Sequence, residues 1–147
     1  MEIKFRMASE EDLEKIINLC NECFEESTSL DYAKNIFQEN KVDKNTIQIV
    51  GVLENEIIAY VRLAIINTIF EDMGKYAIIN HFCVKPEHRR KNIATRMLEG
   101  IDKLCAYNGI KSVKLWSKNF RVPAHKCYEK HSFNKIDAAF FEKKVGE

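Results

Sequence analysis

The spacing of apolar residues changes several times along the chain, and each change marks an element. Ile3, Phe5 and Met7 alternate with Lys4 and Arg6, the two-residue period of a strand with one buried face. Ser9 suits a helix N-cap, and Glu10, Glu11 and Asp12 would then fill the first turn, where carboxylates complement the helix dipole. Leu13, Ile16, Ile17, Cys20 and Phe24 follow at helical spacing. Tyr32, Ala33, Ile36 and Phe37 predict a second helix over Leu30 to Glu39. The period then shortens. Residues 46–53 and 57–66 are β-branched runs separated by the polar Glu54-Asn55-Glu56, which predicts a hairpin, and a third strand over 76–84 follows the turn-like Glu71-Asp72-Met73-Gly74.

After Val84 the chain turns polar and basic through Lys85-Pro86-Glu87-His88-Arg89-Arg90-Lys91-Asn92. It re-enters an amphipathic helix carrying Ile93, Ala94, Met97, Leu98, Ile101, Leu104 and Cys105, with Asn108-Gly109 as its C-terminal stop. A strand over Ser112 to Ser117, a helix over Phe120 to Lys130 and a last strand over Lys135 to Lys144 complete the pattern. The order β-α-α-β-β-β-α-β-α-β contains no repeat, low-complexity stretch or linker, so the expected domain spans residues 1–147 and folds one mixed sheet covered by helices.

Composition narrows the function without naming it. With 147 residues, 46% hydrophobic and 31% charged, the chain has the balance of one globular domain and too many apolar residues to be disordered. Lys and Arg total 23 against 22 Asp and Glu, with no long run of one sign, so nucleic acid is not an expected partner. No apolar run reaches the roughly 20 residues of a membrane span, and the Met1-Glu2-Ile3-Lys4 start lacks a signal peptide's apolar core. The expected location is the cytoplasm, with no membrane partner. The five cysteines, Cys20, Cys23, Cys83, Cys105 and Cys127, are odd in number and fall mostly in apolar periodic segments, as reduced core residues do. Cys20 and Cys23 form a C-x-x-C, but no second ligand pair follows and no metal is expected.

Two junctions carry candidate chemistry. At the first, a strand runs into a basic loop that opens directly into a helix, which directs unpaired amides, the helix dipole and cationic side chains at one place, as a phosphate site requires. On placement alone, solvated charge at a helix start is the simpler account of Arg89, Arg90 and Lys91. The stretch Val84-Lys85-Pro86-Glu87-His88-Arg89-Arg90-Lys91-Asn92-Ile93-Ala94 resembles the acetyl-CoA motif V-x-P-x-x-R-x-x-G-x-G/A of the GNAT acetyltransferases, and this changes the balance. The resemblance implies that Phe82 and Val84 pair with the pantetheine arm. It implies that Arg89, Arg90, Lys91, Asn92, Ile93 and Ala94 form the pyrophosphate loop. Asn92 stands where the family has Gly, and Asn is the non-glycine residue that best tolerates a left-handed conformation.

The second junction runs from Trp116-Ser117-Lys118-Asn119 to His131-Ser132-Phe133 and is similar to the other half of the GNAT signature, N-x-x-A-x-x-x-Y-x-K-x-G-F. Asn119, Ala124, Tyr128, Lys130 and Phe133 match, and Ser132 replaces the usual Gly. By residue spacing alone, Ala124, Cys127 and Tyr128 are equally a helical core stripe. The resemblance implies that Tyr128 protonates the leaving thiolate and that Asn119 belongs to the coenzyme site. It also implies the GNAT-type fold, a mostly antiparallel mixed α/β sheet with helices on both faces.

The reaction implied is transfer of the acetyl group of acetyl-CoA, a co-substrate, to an amine by direct attack in a ternary complex. A non-catalytic, regulatory acetyl-CoA-binding domain is the alternative. In relatives a Glu or His on the strand equivalent to 76–84 often serves as base; here the candidates are Asn80, which has no basic nitrogen, and His81, which alternation turns to the opposite face of the strand. The acceptor is expected to be a small-molecule or peptide amine and the protein a monomer or homodimer. The acidic pairs Glu25-Glu26 and Glu71-Asp72 lie in the segments that bind acceptors in the family and suit a cation.

Overall fold

A computed structural model describes residues 2–146 of the chain. Met1 and Glu147, the end residues of the expected domain, lie outside the described residues. By contact density the chain forms two units, Met1–Trp116 and Ser117–Glu147.

The first unit contains strands β1 (Lys4–Met7), β2 (Thr46–Leu53), β3 (Glu56–Ile66), β4 (Tyr76–Val84) and β5 (Ser112–Lys114), with helices α1 (Leu13–Phe24), α2 (Leu30–Lys41) and α3 (Ile93–Tyr107). The strands lie in the order β1-β2-β3-β4-β5, antiparallel except for the parallel pair β4 and β5. The parallel pair is possible because α3 supplies the crossover that a tight hairpin cannot.

Ladder register separates the two faces of the sheet. Arg6, Val50, Tyr60 and Cys83 oppose one another across β1 to β4 and share one face. Against it α1 buries Ile16, Leu19 and Cys20, which pack with Val50, Ile57, Tyr60 and Cys83. The neighbouring row, Phe5, Gly51, Ala59 and Val84, faces the other way. At Gly51 a Cβ would come within 3.1 Å of both Ala59 Cβ and the Phe5 ring, so glycine there lets the ring lie on the strand. On this side α3 buries Ile93, Met97, Leu98, Ile101 and Cys105, and the Arg96 guanidinium lies 5.2 Å from the Phe5 ring centroid. Helices therefore cover both faces.

The helix starts follow their capping chemistry. The Ser9 amide and hydroxyl both donate to Asp12 Oδ2, at 2.8 and 3.1 Å, across a single 3-10 turn that precedes α1. Ser29 Oγ accepts from the Tyr32 amide at 3.2 Å and starts α2. At the far end of α3, Asn108 is the cap and Gly109 follows with φ +68.

The second unit contains α4 (Val122–Lys130). Ser132 holds φ +70, the left-handed position for which the family uses Gly. The Ser132 amide donates to Glu129 O at 3.2 Å and the Phe133 amide to Tyr128 O at 3.0 Å, so the helix ends in a Schellman motif. The Phe133 ring folds back on Tyr128, edge-on at 5.7 Å between centroids.

Two expectations need correction. Residues 135–144 form no strand among the described residues, and Ile136, Phe140 and Phe141 are exposed. Apolar alternation makes a strand only where a neighbouring edge accepts its backbone hydrogen bonds. The strand expected over 112–117 stops at Lys114.

Candidate active site

The candidate site begins where the ladder between β4 and β5 ends. Only Tyr76, Ala77 and Ile78 of β4 pair with β5, opposite Ser112, Val113 and Lys114. The ladder with β5 ends at Ile78, and β4 continues to Val84 beyond it. Phe82 and Val84, the expected pantetheine contacts, lie on this segment.

A bulge re-aims the same strand. Val61 opposes Phe82 and Arg62 opposes Asn80, so His81 is the extra residue, with φ +55. Strict alternation would send Asn80 and His81 to opposite faces, and the bulge interrupts that alternation between them. Asn80 comes opposite Arg62, whose Nη1 donates to Asn80 Oδ1 at 3.0 Å. His81 is exposed and its Nε2 lies 3.2 Å from each carboxylate oxygen of Glu26. Glu26, marked in the sequence only as an acidic residue of the loop after α1, is therefore paired with the bulge histidine.

The basic loop follows β4 directly. Pro86–His88 make one 3-10 turn, Arg90 and Asn92 hold φ +65 and +62, and α3 begins at Ile93 with no side chain capping it. The amides of the first helical turn have no intrahelical acceptor, the turn contains no acidic residue, and Arg89, Arg90 and Lys91 stand exposed before it. Cations beside a helix N-terminus are unfavourable until an anion joins them, so this donor set fits a pyrophosphate. The Ile93 side chain is buried in the core, which leaves its backbone for ligand contact. Asn92 adopts the left-handed conformation that the usual Gly would supply, so the loop turns without it.

Arg89 makes a contact that the motif did not disclose. Its Nε donates to Val84 O at 3.0 Å, and Cys23 Sγ reaches the same oxygen at 3.7 Å. Hydrogen bonding with Cys83 is the main cause that lowers the Cys23 thiol to about 7; the charge of Arg89 assists, and burial opposes it. The Cys83 thiol is pushed the other way by its contacts with Cys20 and Cys23 and by burial. Cys20 Sγ lies 3.9 Å from Cys83 Sγ, so the contact of Cys20 is between α1 and β4 rather than within C-x-x-C. The helical spacing of Cys20 and Cys23 signals their inward direction, whereas the approach to β4 is a tertiary event.

In the second unit Tyr128 is half-buried on α4, and burial raises its phenol above the ordinary value. It is therefore a protonated hydroxyl at neutral pH. Asn119 is exposed in the turn that precedes α4.

Among the described residues no helix is long and apolar enough to cross a membrane. The sequence matches the acetyltransferase (GNAT) family over residues 13–133. Curated proteins yield no match. Among solved structures, a transcriptional regulator from Bacillus halodurans C-125 superposes with a TM-score of 0.87 at 20% identity, covering 98% of this chain and 100% of that one. Glucosamine-6-phosphate N-acetyltransferase from Arabidopsis thaliana gives 0.82 at 20% identity, with 97% and 99% covered. A predicted acetyltransferase from Clostridium acetobutylicum, solved with acetyl-CoA, gives 0.75 at 20% identity, with 97% and 96% covered. At these identities the superpositions establish the fold, and the sequence match over most of the chain establishes membership: the chain belongs to the GNAT family of acetyltransferases, which use acetyl-CoA.

Proposed function

We propose that this protein transfers the acetyl group of acetyl-CoA to a primary amine by direct attack, as one domain. The observation that carries the reading is the junction at the end of β4, where the strand runs past its short ladder with β5 and leads through Arg89 to Asn92 into an uncapped helix start. An extended pantetheine arm with a pyrophosphate at its end matches that sequence of donors: first backbone partners along 79–84, then amides and cations.

Acetyl-CoA supplies the activated acyl group; the residues of the chain position it and move protons. Backbone amides at the bulge of β4 are placed to stabilise the developing oxyanion. His81 is the base that frees the amine lone pair, and Tyr128 donates the proton to the departing sulfur. Asn80, bonded to Arg62, holds the bulge rather than moving a proton. Asn119 completes the coenzyme site by the family resemblance. The acceptor is an amine of small-molecule or peptide type, as glucosamine-6-phosphate is for the Arabidopsis relative in its name. The exposed Glu71 and Asp72 favour one that carries further positive charge.

The test is release of free thiol from acetyl-CoA across a panel of polyamines, aminosugars and lysine peptides. Release with one amine class is the expected result. Acetyl-CoA raising the melting temperature with no release from any amine would favour the non-catalytic alternative, the role that the name of the Bacillus regulator brings to mind.

A further inference from the structure

The pairing of Glu26 with His81 joins two strained points of the backbone. His81 holds φ +55 at the bulge of β4, and Glu25, which ends α1, holds φ +54. Left-handed backbone is unfavourable for both residue types and persists only where surrounding contacts enforce it. Together the two distortions clamp one ring. Glu26 brings both carboxylate oxygens to 3.2 Å from His81 Nε2, and Phe24, on the other side of Glu25, stands edge-on to the imidazole at 5.4 Å and 82°. A carboxylate only accepts hydrogen bonds, so Nε2 carries the proton and the lone pair of the neutral ring lies on Nδ1. The His81 side chain keeps 45% of its surface exposed, so the clamp fixes the ring without closing it off.

We propose that Glu26 is a positioning residue: it holds His81 so that Nδ1 is the base for the acceptor amine. This rests on the acetyl-transfer reading above and adds the residue that orients its base. His81 Nδ1 takes one proton from the ammonium form of the acceptor. The nitrogen lone pair bonds to the thioester carbonyl carbon, the carbon–sulfur bond breaks with its electron pair on sulfur, Tyr128 gives that sulfur its proton, and the surplus proton of the nitrogen restores the Tyr128 hydroxyl. The imidazolium returns its proton to solvent. Glu26 keeps its charge throughout and stabilises the imidazolium while it exists. A carboxylate committed to His81 is also not free to bind the acceptor, which leaves cation recognition to other acids such as Glu71 and Asp72.

A double-mutant cycle tests this with Glu26→Gln, His81→Asn and the combined variant, Asn being chosen because it tolerates left-handed backbone. Spermidine, kanamycin and a lysine peptide are screened on the wild type and the fastest acceptor is used. The acetyl-CoA-induced rise in melting temperature serves as the folding control. His81→Asn should lower kcat on the order of 10²-fold. Glu26→Gln should lower kcat about tenfold with acceptor KM within about twofold, and the combined variant should be no slower than His81→Asn alone, because a residue that acts through His81 has nothing left to act on. A raised KM with unchanged kcat in both backgrounds would make Glu26 an acceptor-binding acid and overturn the proposal; so would losses that multiply, or no loss at all. In each of these cases turnover by the wild type leaves the acetyltransferase reading standing. A wild type with no turnover on any amine removes both.

Discussion

Arg6 and Asp12 form a two-point ion pair across the start of α1: Nη1 donates to Oδ2 at 2.7 Å and Nη2 to Oδ1 at 2.9 Å. Asp12 is buried, at 6% exposure, and its Oδ2 also accepts from the Ser9 amide. The pair ties β1 to the helix that covers its sheet face.

That pair makes folding stability depend on acid. The Arg6 hydrogen bond is the main cause that holds the Asp12 carboxyl at about 2, below its ordinary 3.8, against the opposing effect of burial. A depressed carboxyl contributes stability above its unfolded value and loses it as pH falls toward its folded one. Because Arg6 is half exposed, about 1–2 kcal/mol is expected rather than the full value of the shift. Urea unfolding of Asp12→Asn should show a deficit of that size at pH 7 that shrinks between about pH 4 and 2; a deficit independent of pH would mean the side chain acts by packing.

Asn92 should be replaceable by the residue the motif usually carries. At φ +62 glycine is unstrained, so Asn92→Gly should keep the acetyl-CoA-induced rise in melting temperature or enlarge it. Asn92→Val, β-branched at the same angle, should cost roughly 1–2 kcal/mol of stability. A large loss of coenzyme affinity in the glycine variant would show that the Asn side chain itself contacts the ligand.

Tyr128→Phe separates chemistry from packing. The Phe ring retains the edge-on contact with Phe133 and the Schellman turn beneath it, while the proton donor is lost. The variant should fold, bind acetyl-CoA normally and lose at least about tenfold in kcat, where general-acid catalysis typically contributes about 10²–10⁴-fold. Undiminished kcat with chemistry rate-limiting would remove the proton-donor role, and a large loss of stability would assign the hydroxyl a structural bond.

Cys23 should alkylate before the other thiols. Its thiolate forms near pH 7, while the Cys83 thiol is raised, so iodoacetamide labelling followed by peptide mass should rise through about pH 7 at Cys23. Arg89→Gln removes a charge that favours the thiolate and should move that rise to higher pH. Labelling of Cys23 only near pH 9, the ordinary value, would mean the Cys83 and Arg89 contacts do not hold in solution.

What was legible in the chain was local. The strand expected over 46–53 is β2, Thr46–Leu53, and the strand over 76–84 is β4, because a two-residue period and β-branched content act within a few residues. Asn108-Gly109 ends α3 as the cap pattern requires. The basic loop was equally plain, since a strand, a cationic turn and a helix start lie consecutively. The strand over 135–144 was not, because Ile136 and Phe140 alternate correctly but these residues form no strand among the described residues, and alternation alone does not supply a partner edge.

The sequence by itself determined the order of elements, the bounds of most of them and the loop that opens α3, since each rests on contacts between residues a few positions apart. Only the tertiary structure decided that the ladder of β4 with β5 ends at Ile78, that His81 is the bulged residue, and that Glu26 meets it across 55 positions. A bulge is a mismatch in count between two strands, and a strained backbone angle is held by contacts distant in the chain. Neither leaves a period for a single strand or helix to display.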